Sequence, residues 1–374
     1  MRIALIGTRG VPARYGGFET AVEEVGRRLA DRGHEVTVYC RGEDRTPEYL
    51  GMRRVVLPAL PSRTTETLSH TALSVAHVVA HLRRSRPDAA IVFNAANAPL
   101  VPVLRAARVP VAVHVDGLEW KRGKWGPTGR RYYLFAERCA VRWAGELIAD
   151  AVGIQDYYRQ RYGVPSAFIP YGAPVLHRPA LHRLEEVGLV PGGYHLVVAR
   201  FEPENHVDLV LRGYGRSTAE QPLVIVGSAP YAGPHVAEIE RLAAADGRVR
   251  LLGGIWDAEL LDALYAGASC YLHGHSVGGT NPSLLRALGA GASVGAYDVD
   301  FNREVAGEAA VYFAEAADVS AVVEKVEADP EAARARGTAG QRSVAERYRW
   351  DDVAGGYEAL CARLAASSGR GSPR

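Results

Sequence analysis

Hydrophobic positions along the chain fall into two alternating kinds of run. Short, nearly continuous apolar stretches include RIALIG (2–7), EVTVYC (35–40), RRVVLPA (53–59), AAIVFNA (89–95), VAVHVDG (111–117), ELIADA (146–151) and AFIPYG (167–172). Between them lie longer stretches with apolar residues every three or four positions, such as ETAVEEVGRRLADRG (19–33), TALSVAHVVAHLRRSR (71–86), PLVPVLRAAR (99–108), RRYYLFAERCAVRWAG (130–145) and GIQDYYRQRYG (153–163). The first kind reads as strands buried on both faces, the second as helices with one apolar stripe. Their alternation predicts a mostly parallel sheet covered on both sides. After a connection near residues 172–192 the pattern restarts at YHLVVARF (194–201), and PLVIVGSA, RVRLLGG, CYLHGH, SVGAYD and AVYFA (310–314) follow with helical runs between. Two doubly wound α/β halves are expected, with no residue-level repeat. Helical pattern from about Glu331 to Ala365 has no strand to serve, and the first half is one surface it can pack on.

The 374-residue length fits two ordinary domains. Hydrophobic residues at 48% and charged residues at 23% are those of a soluble globular chain. A formal net charge of +2 supplies no global field for nucleic acid. Cys40, Cys139, Cys270 and Cys361 are widely spaced, which suits a reducing cytoplasm and neither a disulfide frame nor a zinc site. The opening MRIALIGTRG is too short and glycine-broken to read as a signal peptide, and no run reaches the ~20 apolar residues of a spanning helix. The tail ASSGRGSPR (366–374) reads as disordered.

Ligands of open α/β sheets bind beyond the carboxyl ends of the strands, so the loops there carry the candidate chemistry. In GTRGVPARYGGFE (7–19), Gly16 and Gly17 precede a helix whose N-terminus favours an anion; a plain turn is the alternative. In HVDGLEWKRGKW (114–125), Asp116 at a strand end can bind a hydroxyl or take a proton, or cap a turn. Lys121, Arg122, Lys124, Arg130 and Arg131 with Trp120, Trp125, Tyr132 and Tyr133 form a basic aromatic patch suited to a membrane surface or an anionic acceptor, or to a solvated helix face. In ARFEPEN (199–205), Arg200 suits a diphosphate, or pairs with Glu202 or Glu204. In HGHSVGGTNPSLLRALGAG (273–291), Gly278 to Asn281 lead into Pro282 at a helix start, and the amides around Ser283 to Leu285 are expected to face a phosphate. Asp298 and Asp300 follow a late strand and read as a turn, not a metal pair, while His273 and His275 have no third ligand nearby for zinc.

RGVPARYGGFET, HVDGLEWKRGKWG, ARFEPEN and HGHSVGGTNPSLL…ALGAG together resemble, in this order, the family-4 retaining glycosyltransferases, most closely the bacterial rhamnosyltransferase-like subgroup. The resemblance spans nearly the whole chain. It implies a GT-B fold, two facing Rossmann-like doubly wound parallel-sheet domains with a cleft between them. Residues 1–172 would bind the acceptor and 173–350 the sugar nucleotide, and 351–374 would form a helix crossing back to the first domain and a tail. By the same resemblance Gly16 and Gly17 lie near the donor phosphates, Asp116 near the transferred sugar, and Arg200 on the diphosphate. Asn205 stands where relatives often carry lysine, with His206 as a partial substitute. Gly279, Thr280, Asn281, Ser283 and Leu284 face sugar and phosphates, and Arg14, Tyr15, Glu119 and Trp120 fall on the acceptor side. Arg286 departs from the family, which usually has a ribose-binding glutamate there; a guanidinium has no acceptor. It is expected to face the donor.

The resemblance further implies retention without an enzyme nucleophile, no cofactor and no metal. Arg200 and helix-end amides would stabilise the leaving diphosphate. The partners implied are a nucleotide-sugar donor and a glycan, lipid-linked or small-molecule acceptor, in polysaccharide or natural-product biosynthesis. No nucleic acid is involved. The location is cytoplasmic, with peripheral contact at the inner membrane face left open. An atypical phosphorylated or acidic donor, and a non-catalytic GT-B protein that binds a sugar nucleotide or a partner subunit, are the competing readings.

Overall fold

The computed structural model describes residues 1–369 except 14–15, 62–64, 116, 124 and 229–232. It contains two compact units. The first comprises residues 1–121, 125–171 and the chain from Trp350 onward; the second comprises residues 122–124 and 172–349.

The first unit holds β1 (Arg2–Ile6), β2 (Glu35–Cys40), β3 (Glu48–Tyr49), β4 (Met52–Val56), β5 (Ala89–Phe93), β6 (Val111–His114), β7 (Glu146–Ala149) and β8 (Ala167–Phe168). They form one sheet in the order β3-β4-β2-β1-β5-β6-β7-β8, parallel except for the antiparallel β3–β4 edge pair. The two residues of β3 fall outside any apolar run, and the sequence does not signal them. The helices are α1 (Gly17–Asp31), α2 (Glu66–Ala80), α3 (Leu82–Ser85), α4 (Val101–Ala106), α5 (Pro127–Trp143) and α6 (Val152–Tyr162). Every residue of β5 is buried, as a central strand covered on both faces must be. Val75 and Val78 of α2, Val101 and Leu104 of α4, Cys139 and Ala140 of α5 and Ile154 and Tyr158 of α6 share one core with β1, β5 and β6. Ala21, Val22, Val25 and Leu29 of α1 are buried at helical spacing.

The second unit holds β9 (His195–Val198), β10 (Leu223–Val226), β11 (Val249–Gly253), β12 (Cys270–His273), β13 (Val294–Tyr297) and β14 (Ala310–Phe313), in the all-parallel order β11-β10-β9-β12-β13-β14. Its helices are α7 (Val207–Tyr214), α8 (Pro234–Ala244), α9 (Ala258–Gly267), α10 (Pro282–Gly289), α11 (Asp300–Ala306), α12 (Ala316–Ala328) and α13 (Pro330–Arg347). Helix α12 is absent from the sequence reading, yet Val319, Val322, Val323 and Val326 give it a buried stripe and Glu315 with Asp318 a capping box.

Helix α14 (Trp350–Gly369) belongs to the first unit. Arg28 bonds Asp351 at 2.9 Å, Arg32 bonds Glu358 at 2.8 Å and Arg363 bonds Glu146 at 2.8 Å. Because α14 runs to Gly369, residues 366–369 are helical, not a disordered tail; 370–374 lie outside the described residues.

Candidate functional sites at the two switch points

Each sheet has one place where the chain reverses its direction of strand addition, and the crevice there is the binding position of such sheets. In the first unit it lies between β1 and β5, in the second between β9 and β12. The loops carrying Gly16, Arg200 and Thr280 follow β1, β9 and β12 respectively.

In the second unit, Arg200 is exposed just past β9. Neither Glu202 nor Glu204 pairs with it, and among the described residues its guanidinium meets no carboxylate. Its carbonyl oxygen accepts a 2.8 Å bond from Asn205 Nδ2, so the buried Asn205 fixes the loop backbone rather than reaching outward. His206 has φ 48° and starts α7. Its Nδ1 donates to the Gly274 carbonyl at 2.8 Å, and its ring stacks on Tyr297 at 4.3 Å. A side chain on Gly274 would overlap the Asn205 carbonyl oxygen, so glycine is what lets the loops after β9 and β12 touch. Ser276 adds two bonds to the Glu204 carbonyl, from its amide at 2.9 Å and its hydroxyl at 3.1 Å.

At the start of α10, Asn281 is the N-cap; its Oδ1 accepts from the Ser283 amide at 2.9 Å. The Leu285 amide bonds the Asn281 carbonyl at 3.0 Å. Two of the three amides expected to face a phosphate are therefore taken by the helix's own cap and first turn, which corrects that expectation and leaves the Leu284 amide. Thr280 and Gly279 are buried, and Leu284 is fully so.

Arg286 turns to α9. Its Nε bonds Asp262 Oδ1 at 2.6 Å, its Nη2 donates to the Ala258 carbonyl at 2.9 Å, and its guanidinium lies 5.8 Å from the Tyr265 ring centre. The charge placed on the helix is answered within the unit by a carboxylate one helix away. Asp298 is likewise engaged, by Arg303 Nε at 2.5 Å and Nη2 at 2.8 Å.

His273 and His275, weighed in the sequence only as zinc ligands, sit at the end of β12 beside this crevice. Their rings stack at 4.4 Å and 9°. Burial pushes His273 down to about 3. Burial, then His273, then Arg200 hold His275 well below its ordinary value. Both are neutral near pH 7, and His273 Nε2 and His275 Nδ1 are buried without a hydrogen-bond partner among the described residues. The sequence signal for them was their position at a strand end on the switch-point strand.

In the first unit, Gly16 is the extended N-cap of α1 and Gly17 its first residue. The Glu19 carboxylate folds back over this start: Oε1 accepts from the Arg9 amide at 3.0 Å, and a side chain on Gly16 would meet Oε2. Glu23 Oε2 accepts from the Ala13 amide at 2.6 Å. The glycine loop is thus tied down by two acids of its own helix. Arg14, Tyr15 and Asp116 lie outside the described residues. Glu119 is buried and accepts from Trp125 Nε1 at 3.3 Å, and Trp120 packs near Tyr157 at 6.4 Å. Tyr133 is buried and the Tyr132 hydroxyl donates to the Ala96 carbonyl at 2.8 Å. Trp125 and Tyr132 of the predicted basic patch therefore turn their polar tips to internal acceptors. His114, at the end of β6, packs against Phe18 at 5.2 Å and Phe93 at 5.6 Å, and burial takes it down to about 3.

His70, His114 and His273 give a stability prediction. Burial lowers them to about 4, 3 and 3, below the ordinary 6.5. The unfolded chain then binds more protons than the folded one below about pH 6.5. Stability is expected to be flat in these groups above that pH and to fall between pH 6.5 and 4, with a slope approaching one proton per histidine. Urea midpoints across that range check it, and a flat profile would mean that the rings ionise in place.

Residues 1–174 match the family model described as a domain of unknown function (DUF1972), and residues 192–343 match that described as Glycosyl transferases group 1. No curated protein matches the chain. Among solved structures, sucrose-phosphate synthase from Thermosynechococcus elongatus aligns with a TM-score of 0.82 at 20% identity, covering 98% of this chain and 99% of that one. Anabaena HepE in complex with UDP-glucose gives 0.77 at 16% identity, covering 98% and 100%. A glycosyltransferase from Rickettsia africae ESF-5 gives 0.73 at 12% identity, covering 99% of each chain. At these identities the likeness shows the fold: two α/β units with parallel sheets, the GT-B architecture.

Proposed function

We propose that the protein is a glycosyltransferase that moves a sugar from a nucleotide donor to a hydroxyl acceptor with retention of configuration. The observation that carries the reading is Arg200. The stretch matching Glycosyl transferases group 1 coincides with a unit whose switch point presents an exposed arginine that meets no carboxylate among the described residues, on a loop braced by its own Asn205 and, through Asn205, by the loop after β12. An arginine so placed is suited to two oxygens of a diphosphate. As the sugar–phosphate bond breaks, negative charge grows on the leaving diphosphate. Arg200 and the Leu284 amide at the α10 start would stabilise it, and an acceptor proton would pass to the departing phosphate on the same face. The neutral His273 and His275 add no positive charge of their own, which leaves the charge stabilisation to Arg200. Residues 173–350 are assigned to the donor and 1–172 to a glycan, lipid-linked or small-molecule acceptor. The pairing of Arg286 with Asp262 weighs against a donor carrying an extra anionic group there.

A panel of nucleotide sugars, read by thermal shift and by release of nucleotide diphosphate, tests the reading. One that binds the native state raises the midpoint. UDP-glucose heads the panel because the fold-sharing HepE was solved with it. Binding with neither transfer nor donor hydrolysis would favour a non-catalytic sugar-nucleotide-binding protein, and no response across the panel would exclude the donor site. No metal is assigned a role. The bidentate hold of Arg303 on Asp298 supports this, since that carboxylate is already neutralised. Activity is expected to survive EDTA; loss restored by magnesium or manganese would return Asp298 and Asp300 to the site as ligands.

A further inference from the structure

The first unit carries a segregated charge that the proposed chemistry does not use. Between Thr67 and Ala144, leaving out residues 122–124 of the second unit, the sequence has ten Lys and Arg against four Asp and Glu, a surplus of six in a chain whose formal net charge is +2. Of the described acids in that stretch, Glu119 and Glu137 are buried and Asp88 is tied to the Arg2 amide at 2.8 Å. Glu137, the only acid of α5, points inward and accepts from the Tyr157 and Tyr162 hydroxyls at 2.8 and 3.0 Å.

The outer stripe of α5 is what remains. Arg131, Phe135, Arg138 and Arg142 recur at helical spacing and are all exposed, with Arg130 beside them. None of these four arginines meets a carboxylate among the described residues. Several exposed arginines elsewhere do: Arg212, Arg241, Arg303 and Arg363 each bond one or more acids. Large apolar side chains are exposed in the same helix layer, Phe135 at 50% and Val103 of α4 at 47%. Helices α4 and α5 are neighbours in that layer, joined by Arg105 Nη1 donating to the Trp143 carbonyl at 3.1 Å.

We propose that this face of the first unit docks on an anionic phospholipid bilayer. A bilayer interface takes both components at once. Guanidinium groups lie at the lipid phosphates while Phe135 and Val103 enter the boundary with the acyl chains. Nucleic acid would use the arginines and leave the exposed Phe135 and Val103 without a partner. An acidic protein surface would meet the same difficulty unless it brought its own apolar patch. The docking is independent of the transfer chemistry, so neither stands or falls with the other.

The test is co-sedimentation of the full chain with vesicles of phosphatidylcholine alone or with about a third phosphatidylglycerol. Binding is expected only to the anionic vesicles, weakening steeply with added salt. Combined Arg131→Glu, Arg138→Glu and Arg142→Glu should cut the partition coefficient by about a hundredfold or more. Phe135→Ser should reduce it severalfold at constant charge. These side chains are exposed, so the variants should keep the wild-type circular dichroism and unfolding midpoint. Equal binding to both vesicle types, no binding to either, or an unchanged triple variant would overturn the proposal. So would binding to duplex DNA or polyglutamate as tight as to vesicles and indifferent to Phe135→Ser.

Discussion

Arg200→Ala is expected to lower turnover about a hundred- to a thousandfold at saturating donor, the loss of about 2.7–4 kcal/mol typical of removing one preorganised group from a developing charge. Three observations set the size. The side chain is exposed and pairs with no carboxylate among the described residues, so no internal ion pair is broken by its removal. Its carbonyl is held by Asn205, which the loop after β12 presses in turn, so the cation is already in place before charge develops. The site also lacks a second charged group of the same kind on that loop, since Asn205 is committed to the Arg200 carbonyl and His206 to the Gly274 carbonyl. Folding should be nearly unaffected, as for other exposed side chains. Arg200→Lys keeps the charge but not the fork, and should recover only part of the rate. Turnover of Arg200→Ala close to that of the unaltered protein would remove Arg200 from the diphosphate and with it the observation on which the donor site rests.

Much of the architecture is legible in the sequence because period is local. The apolar runs at 2–7, 89–95 and 194–201 become central strands of the two sheets, and the loop residues that follow them fall at the switch points. The cap at Asn281 is also local: an Asn before a Pro at a helix start announces that its side chain will take the Ser283 amide, which removes that amide from a phosphate. What sequence does not carry is pairing across distance. Asp262, which claims Arg286, lies 24 residues earlier on another helix, and no spacing rule joins them. The same holds for the inward turn of Trp125 and Tyr132, each decided by a buried acceptor, Glu119 and the Ala96 carbonyl. Metal geometry gives His273 and His275 no role, and spacing alone does not show that they are neutral, stacked and at a strand end.

Gly274→Ala should damage stability and donor binding together. The added methyl would overlap the Asn205 carbonyl oxygen and crowd His206 Cβ at 3.3 Å. Both neighbours are constrained: the Asn205 side chain holds the Arg200 carbonyl, and the His206 ring is fixed by the Gly274 carbonyl and the Tyr297 face. Backbone must therefore shift, which in a packed site costs about 1–3 kcal/mol. For a unit of this size that lowers the unfolding midpoint by about 2–4 °C per kcal/mol. The shift falls on the loop that presents Arg200, so affinity for a nucleotide sugar should drop about tenfold or more, the effect of a displacement on the order of 1 Å at a positioning group. Ser276→Ala provides the comparison. It removes only the hydroxyl bond to the Glu204 carbonyl and leaves the amide bond at 2.9 Å in place, so it should cost about 1 kcal/mol or less. Its donor affinity should stay near that of the unaltered protein. Measuring both variants by calorimetric unfolding and by donor titration separates the outcomes. A Gly274→Ala protein with unchanged midpoint and unchanged titration would mean that the two loops are not pressed together in solution. A lowered midpoint with unchanged titration would mean that the contact braces the sheet ends but does not aim Arg200.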